Sequence, residues 1–192
     1  MKDRGPVERL YFEREDVDEI VRKISMTRHV ERYCMIRQWC KGLVVDCASG
    51  CGYGTFLISE NPDVDNVIGV DVSKEAIDWA ELNFSNEKIK FENEPFQNIP
   101  NILNGIKPDV LVSIETIEHI KDTESYMNSI KKINAELVIL SYPTKKSTHF
   151  NKFHHHDFSD NDISNMFNDA GYISTKNINL YNELSLILFH KR

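Results

Sequence analysis

The stretch from Leu43 to Phe56, Leu-Val-Val-Asp-Cys-Ala-Ser-Gly-Cys-Gly-Tyr-Gly-Thr-Phe, constrains the fold of this chain more than any other. Leu43, Val44 and Val45 form a short apolar run with two β-branched residues, which suits a central strand covered on both faces of a parallel sheet. Asp46 ends that run, and Gly50, Gly52 and Gly54 follow at alternate positions. Residues without a Cβ let the backbone turn sharply and approach a ligand closely, while the next helix offers free N–H groups. The pattern predicts a strand, a glycine turn carrying a cofactor, and a helix. The plainer alternative is a tight strand-to-helix turn that binds nothing, because glycine-rich turns also occur without ligands.

A chain of 192 residues, 41% hydrophobic and 28% charged, is long enough for one domain with a sizeable core. No apolar run approaches the ~18 residues of a membrane span. The start, Met1-Lys2-Asp3-Arg4-Gly5-Pro6, lacks the apolar core of a signal peptide, so a cytoplasmic location and no membrane partner are expected. Cys34, Cys40, Cys47 and Cys51 crowd together without CxxC spacing or a matching histidine pattern, and read as reduced packing residues. The formal net charge of −7 argues against broad nucleic-acid binding, which needs a basic face. A small basic mouth remains compatible with it.

The first sixteen residues are strongly charged around Leu10-Tyr11-Phe12, a cluster that either docks on the domain or lies over a ligand. Val17, Ile20, Val21 and Ile24 fall three and four apart, one face of a short helix, with Ser25 or Thr27 as candidate restart points after it. A second helical pattern through Val30, Tyr33, Cys34 and Trp39 stops at Gly42, a candidate C-terminal cap. After the glycine turn, Thr55 to Glu60 read as helix and Val67 to Asp71 as a second buried strand. Asp71 lies about twenty residues past the glycines, where dinucleotide-type folds place a ribose-binding carboxylate. Ser73 caps a helix with Ala76, Ile77, Ala80 and Leu82 on its apolar side, and Lys88 to Phe91 is a third strand. Val110 to Ile114 is the fourth, ending in the polar cluster Glu115-Thr116-Ile117-Glu118-His119, where open α/β sheets put their chemistry. Asp122 to Ile133 is helical and Leu137 to Ser141 is the fifth strand. A loop rich in Lys, His, Asn and Phe follows from Lys145 to Asp157. Ser159 with Asp162 reads as a capping box for a helix that Gly171 closes. Two strands near Ile173 to Asn179 and Leu184 to His190 make a hairpin-like end. Repeated alternation of strand and helix implies a mainly parallel, doubly wound α/β sheet.

Four motifs, in order, resemble those of class I S-adenosylmethionine-dependent methyltransferases: Val45 to Gly52, Val67 to Asp71, Glu94-Pro95-Phe96, and Val112 to His119. The resemblance runs from about His29 to His190. It is nearest to a subgroup that often accompanies sugar-modifying and glycan-building enzymes. There an Arg-Tyr pair, here Arg32-Tyr33, precedes the glycine motif, and an Asn-x-x-His-x-x-(Asp or Glu)-Phe loop, here Asn151 to Phe158, follows the fifth strand. The resemblance implies a Rossmann-like, seven-stranded sheet of order 3-2-1-4-5-7-6 with N-terminal helices. Residues 1–26 would be an extension and candidate lid, and 27–192 a single methyltransferase domain.

It also implies a cofactor, S-adenosyl-L-methionine, and a set of residues to hold it. Asp46 would organise the turn and the amino group of the methionine moiety. Ala48, Ser49, Gly50 and Gly52 would lie against the cofactor, and Asp71, with Val72 beside it, would accept from both ribose hydroxyls. Glu94, Pro95 and Phe96 would flank the adenine, Ile114, Glu115 and Thr116 would line the methionine side, and Tyr33 would close over it. Ala48 stands where the first glycine is usual, and Glu94 where many relatives have Asp.

A sulfonium methyl is already activated, so the enzyme mainly has to hold an acceptor in line and remove its proton. His119, near neutral in unperturbed pKa and beside Glu115 and Glu118, is the first candidate base; the alternative is a structural cap to the helix near Asp122. His149, His154, His155 and His156 come second, and among them His154 matches the loop histidine of the subgroup. Histidine-rich loops are more often metal-free, and no metal is expected. Lys145, Lys146 and Lys152 make a local positive patch that suits an anionic acceptor such as a phosphorylated or nucleotide-linked sugar, or are simply a solvated face. The function expected is O-methylation of a small-molecule or sugar-type acceptor. The alternatives are an accessory or sensor protein that binds S-adenosylmethionine or S-adenosylhomocysteine without transfer, and a nucleic-acid methyltransferase. Against the last, the fourth strand is followed by no Asn-Pro-Pro-Tyr-like motif and no Pro-Cys pair. No heptad or exposed apolar stripe decides between monomer and homodimer.

Overall fold

A computed structural model describes residues 14–149 and 151–192. The Leu10-Tyr11-Phe12 cluster lies outside the described residues. In chain order the elements are α1 (Arg14–Ile36), β1 (Gly42–Cys47), α2 (Tyr53–Ser59), β2 (Val64–Val70), α3 (Lys74–Phe84), β3 (Ile89–Glu92) and α4 (Ile99–Leu103). They continue as β4 (Val110–Ile114), α5 (Thr123–Ile133), β5 (Leu137–Pro143), α6 (Asp160–Asp169), β6 (Tyr172–Leu180) and β7 (Leu184–Lys191). The sheet order is β3-β2-β1-β4-β5-β7-β6, as expected, with β7 antiparallel to both neighbours and the other pairs parallel.

The central strands are apolar on both faces because both are covered. Val44 and Val45, successive residues of β1, point to opposite sides and enter different cores. Val45 joins Leu111, Val138, Tyr126, Ile130 and Phe167 under α5 and α6. Val44 joins Val67, Val110, Ile139, Tyr33 and Ile36 under α1 and α2. Caps read from the sequence are present: the Ser73 hydroxyl accepts from the Ala76 N–H, and Ser159 and Asp162 form a reciprocal capping box.

Three local expectations change. The two short N-terminal helices are one 23-residue helix, so the 26/27 division falls inside α1. No glycine or proline interrupts it, and the Thr27 hydroxyl bonds back to the Lys23 carbonyl at 2.9 Å rather than starting a new helix. Gly42 is not a helix cap. A turn of 3₁₀ helix over Arg37–Trp39 follows α1, and Gly42 opens β1 with φ +57°, pressed against Asp109, whose carboxylate accepts the Leu43 N–H at 2.9 Å. Leu82 is 81% exposed, leaving Ile77 and Ala80 as the buried side of α3. The helix α4 carries Pro100 in its first turn and is too short for a periodic signal. On α1, Val17, Ile20, Val21 and Ile24, the apolar face that their spacing marks, are exposed, as are Met26 and Val30 on the other side of the helix.

Candidate functional site

The carboxyl ends of β1 to β4 open onto one cavity of about 350 Å³. The order of strands reverses between β1 and β4, the place where open α/β sheets form a crevice. Of the residues expected in the site, Ala48, Asp71, Val72, Glu94, Pro95, Phe96, Glu115, Thr116 and His119 line this cavity. Tyr33, Asp46, Ser49, Gly50, Gly52, Ile114 and His154 do not.

The glycine turn explains several of these absences. Asp46 is fully buried and accepts hydrogen bonds from the Thr55 hydroxyl at 2.7 Å and the Tyr33 hydroxyl at 3.2 Å. Burial pushes its carboxyl up to about 7, against the two donors that favour the charged form. These bonds tie the turn to α1 and α2, and the Asp46 side chain lies beneath the cavity rather than on its wall. Tyr33 is likewise beneath the turn rather than over the cavity. Its ring fills the space that a side chain at Gly54 would need, since a Cβ there would stand 2.2 Å from the Tyr33 Cζ, and it meets Tyr53 edge-on at 5.5 Å.

Ala48 is forced into left-handed backbone, φ +59°, a conformation that costs an L-residue with a side chain about 1–2 kcal/mol. Gly50, φ +55°, has nothing within 4 Å on its missing Cβ side, and its N–H donates to Asp71 at 2.8 Å. The other Asp71 oxygen accepts the Ser73 N–H at 2.8 Å, so the carboxylate is fixed at the cavity wall. The Ser49 hydroxyl is buried with no partner. Gly52 serves packing instead, since its bare backbone lets Ala80 and Phe91 close against the turn.

The segment after β4 is arranged differently. Glu115 has φ +50°; its N–H donates to Ser141, whose hydroxyl donates back to the Glu115 carboxylate at 2.7 Å. Burial raises the Glu115 pKa, opposed chiefly by Arg32, which is 3% exposed with an unpaired Nε. Glu118, in the 3₁₀ turn Ile117–His119, is 1% exposed, and neither carboxylate oxygen has a hydrogen-bond partner. Burial, then the neighbouring Glu115, pushes it up to about 8.

His119 and His154, distant in sequence, meet edge-on with ring centroids 4.7 Å apart. The Nδ1 of His119 lies 3.0 Å from the Phe153 carbonyl, and that of His154 lies 2.6 Å from the Ser147 hydroxyl. Burial, and then the charge on His119, lower the His154 pKa. His156 turns away to the Lys121 carbonyl, 3.3 Å from its Nε2, and His155 is exposed. Asp157 ties the loop together by accepting from the Ser147 and Thr148 N–H groups and the Thr148 hydroxyl. Lys145, Lys146 and Lys152 are exposed, the last with its ammonium 4.9 Å from the Phe153 ring centre.

Thr55 joins the site without having been expected there, while Arg32 and Glu118 were read only as members of the Arg-Tyr pair and of the polar cluster after the fourth strand. Their burial without partners was not readable from those runs.

A family model described as "Methyltransferase domain" matches residues 41–181. No curated protein matches the sequence. Among solved structures, magnesium protoporphyrin IX methyltransferase from Synechocystis PCC 6803 with bound SAH is similar, at 17% identity and TM-score 0.71, over 97% of this chain and 90% of that one. The N-methyltransferase NodS from Bradyrhizobium japonicum WM9, in complex with S-adenosyl-L-homocysteine, matches at 12% identity and TM-score 0.67, over 84% of this chain and 86% of its own. The YcgJ protein from Bacillus subtilis matches at 13% identity and TM-score 0.68, over 84% and 99% respectively. At such identities the likeness is one of fold.

Proposed function

Because the chain belongs to the methyltransferase-domain family, with S-adenosyl-L-methionine as its cofactor, we propose that it methylates the hydroxyl oxygen of a small-molecule or sugar-type acceptor. The single observation that carries this reading is the cavity itself, which has Asp71 and Glu94 to Phe96 on its walls together with Glu115 and His119. The turn fits such a cofactor: the space beside Gly50 is open, and the buried Ser49 hydroxyl lacks a partner.

The bound cofactor supplies an activated methyl group on a positively charged sulfur. Asp71 holds the ribose hydroxyls; each of its oxygens already accepts one backbone N–H and keeps a further acceptor site. Glu94, Pro95 and Phe96 flank the adenine, and Glu115 and Thr116 border the methionine end, with Arg32 behind Glu115 and Ile114 packed beneath them in the core. His119 can donate its Nδ1–H only in one direction, to the Phe153 carbonyl, which leaves Nε2 free to take a hydroxyl proton. The three loop lysines steer an anionic acceptor towards the opening. In this reading the enzyme is a monomer or homodimer and its acceptor is cytoplasmic. No helix among the described residues is long and apolar enough to cross a membrane.

The test is calorimetric. Asp71→Ala weakens S-adenosylhomocysteine binding by about 10-fold or more, the scale of lost charge-assisted hydrogen bonds, and unchanged affinity removes the ribose assignment. His119→Ala lowers turnover while S-adenosylhomocysteine affinity stays. A protein that binds without transferring, as a sensor would, shows the first effect and no turnover to lose.

A further inference from the structure

Glu118 is a costly residue in the fold as it stands. A buried polar group without a hydrogen bond costs about 1–3 kcal/mol, and here both carboxylate oxygens are bare. Its surroundings explain what would repay that cost. One ligand atom from each of Glu118, His119 and His154 lies within 4.8 Å of the others, close to the roughly 3–4 Å separations of donors around a single ion with bonds of about 2.0–2.2 Å. We propose that Glu118, His119 and His154 form a binding site for one first-row transition divalent cation, beside the acceptor end of the cavity.

The hydrogen bonds of the two imidazoles support this independently of proximity. A carbonyl only accepts, so the Phe153 carbonyl places the proton of neutral His119 on Nδ1 and leaves the Nε2 lone pair available. The Ser147 hydroxyl engages the Nδ1 of His154 at 2.6 Å and so orients that ring; a hydroxyl accepts or donates, and when it accepts, the Nε2 lone pair of His154 is likewise available. Metal-ligating histidines use such contacts from the second ring nitrogen to fix ring orientation and tautomer. Two imidazoles and one carboxylate suit Mn²⁺, Fe²⁺, Co²⁺ or Zn²⁺ better than Mg²⁺, which favours an all-oxygen octahedron. Three protein ligands also leave positions open, and His119 is exposed and lines the cavity, so an ion can enter and an outside oxygen can reach it.

The use of the ion rests on the proposed function, although the site itself does not. A hydroxyl oxygen in an open position would lose its proton to water more readily under the ion's charge. The imidazoles are then ligands, and neither needs to act as a base.

The protein is stripped with a chelator, dialysed, and titrated with Co²⁺ by visible absorption and with Zn²⁺ by calorimetry. One equivalent is expected to bind. Glu118→Gln and His154→Ala each weaken binding by more than about 100-fold, exceeding the loss of an outer-shell partner, while His155→Ala leaves it unchanged. S-adenosylhomocysteine affinity, measured on the same samples, stays within about 3-fold of the parent and shows that the variants are folded. Absence of binding by the parent protein, or binding that survives Glu118→Gln and His154→Ala, overturns the metal site and leaves the methyltransferase reading standing. Loss of S-adenosylhomocysteine binding by the unmodified protein would count against that reading alone.

Discussion

Asp46 and Glu118 are both almost wholly buried carboxyl residues, one in β1 and one just past the end of its neighbour β4, yet the fold treats them in opposite ways. Asp46 receives two hydroxyl donors, from Tyr33 and Thr55, and the glycine turn is built over it. Glu118 receives none. One carboxylate is completed by the protein's own residues and serves as structure; the other is buried without a hydrogen-bond partner. A buried carboxylate without partners calls for an explanation, and the proposed cation supplies one for Glu118.

That contrast predicts effects of opposite sign. Asp46→Ala strands two buried hydroxyls and lowers stability by about 3 kcal/mol or more in urea unfolding. A change below about 1 kcal/mol would mean that the turn does not depend on Asp46.

The next largest effect is a pH dependence. Because burial raises the Asp46 pKa to about 7 while the unfolded value is about 3.9, the folded state keeps a proton that the unfolded chain has lost. Its contribution is full below about pH 4 and disappears as pH rises through about 7. Asp46→Asn, which keeps one acceptor oxygen and offers an N–H that the other hydroxyl can accept, flattens the fall in stability across that window, which in the parent runs at up to about 1.4 kcal/mol per pH unit. Parallel curves for parent and variant would break the assignment.

Glu118→Met, by contrast, raises the stability of the metal-free protein by about 1–2 kcal/mol, since an apolar chain of similar length replaces an unsatisfied one. A loss of stability instead would place Glu118 with Asp46 as a structural residue. The smallest effect concerns the turn itself. Ala48→Gly relieves left-handed backbone and gains about 0.5–1 kcal/mol, detectable as a shift in the urea midpoint.

Much of the fold was legible because the signals are local. Val110 to Ile114 is the strand its mostly apolar, β-branched run suggested, and Ser73 and Ser159 cap the helices whose starts they mark. Places where local pattern misled have local causes too. Leu82 has helical spacing but no neighbour to cover it, and the break expected near Ser25 and Thr27 is absent because both residues fit a continuing helix.

The site divides along the same line. Asp71, Glu94 and Glu115 were findable because each stands within two residues of a strand end that is readable, and parallel strands bring their ends to one edge. The position of Tyr33 was not, because its place beneath the turn depends on the bare backbone of Gly54, on another element.

By itself, the sequence determined the alternation of strands and helices, the glycine turn, and which acidic residues stand at strand ends, since periodicity and backbone freedom are properties of neighbouring residues. Only the tertiary structure decided which carboxylate found partners and which did not, and that His119 and His154 share a corner with Glu118. Hydrogen bonding and desolvation in a buried site depend on groups that the chain brings together from far apart, and no local pattern records them.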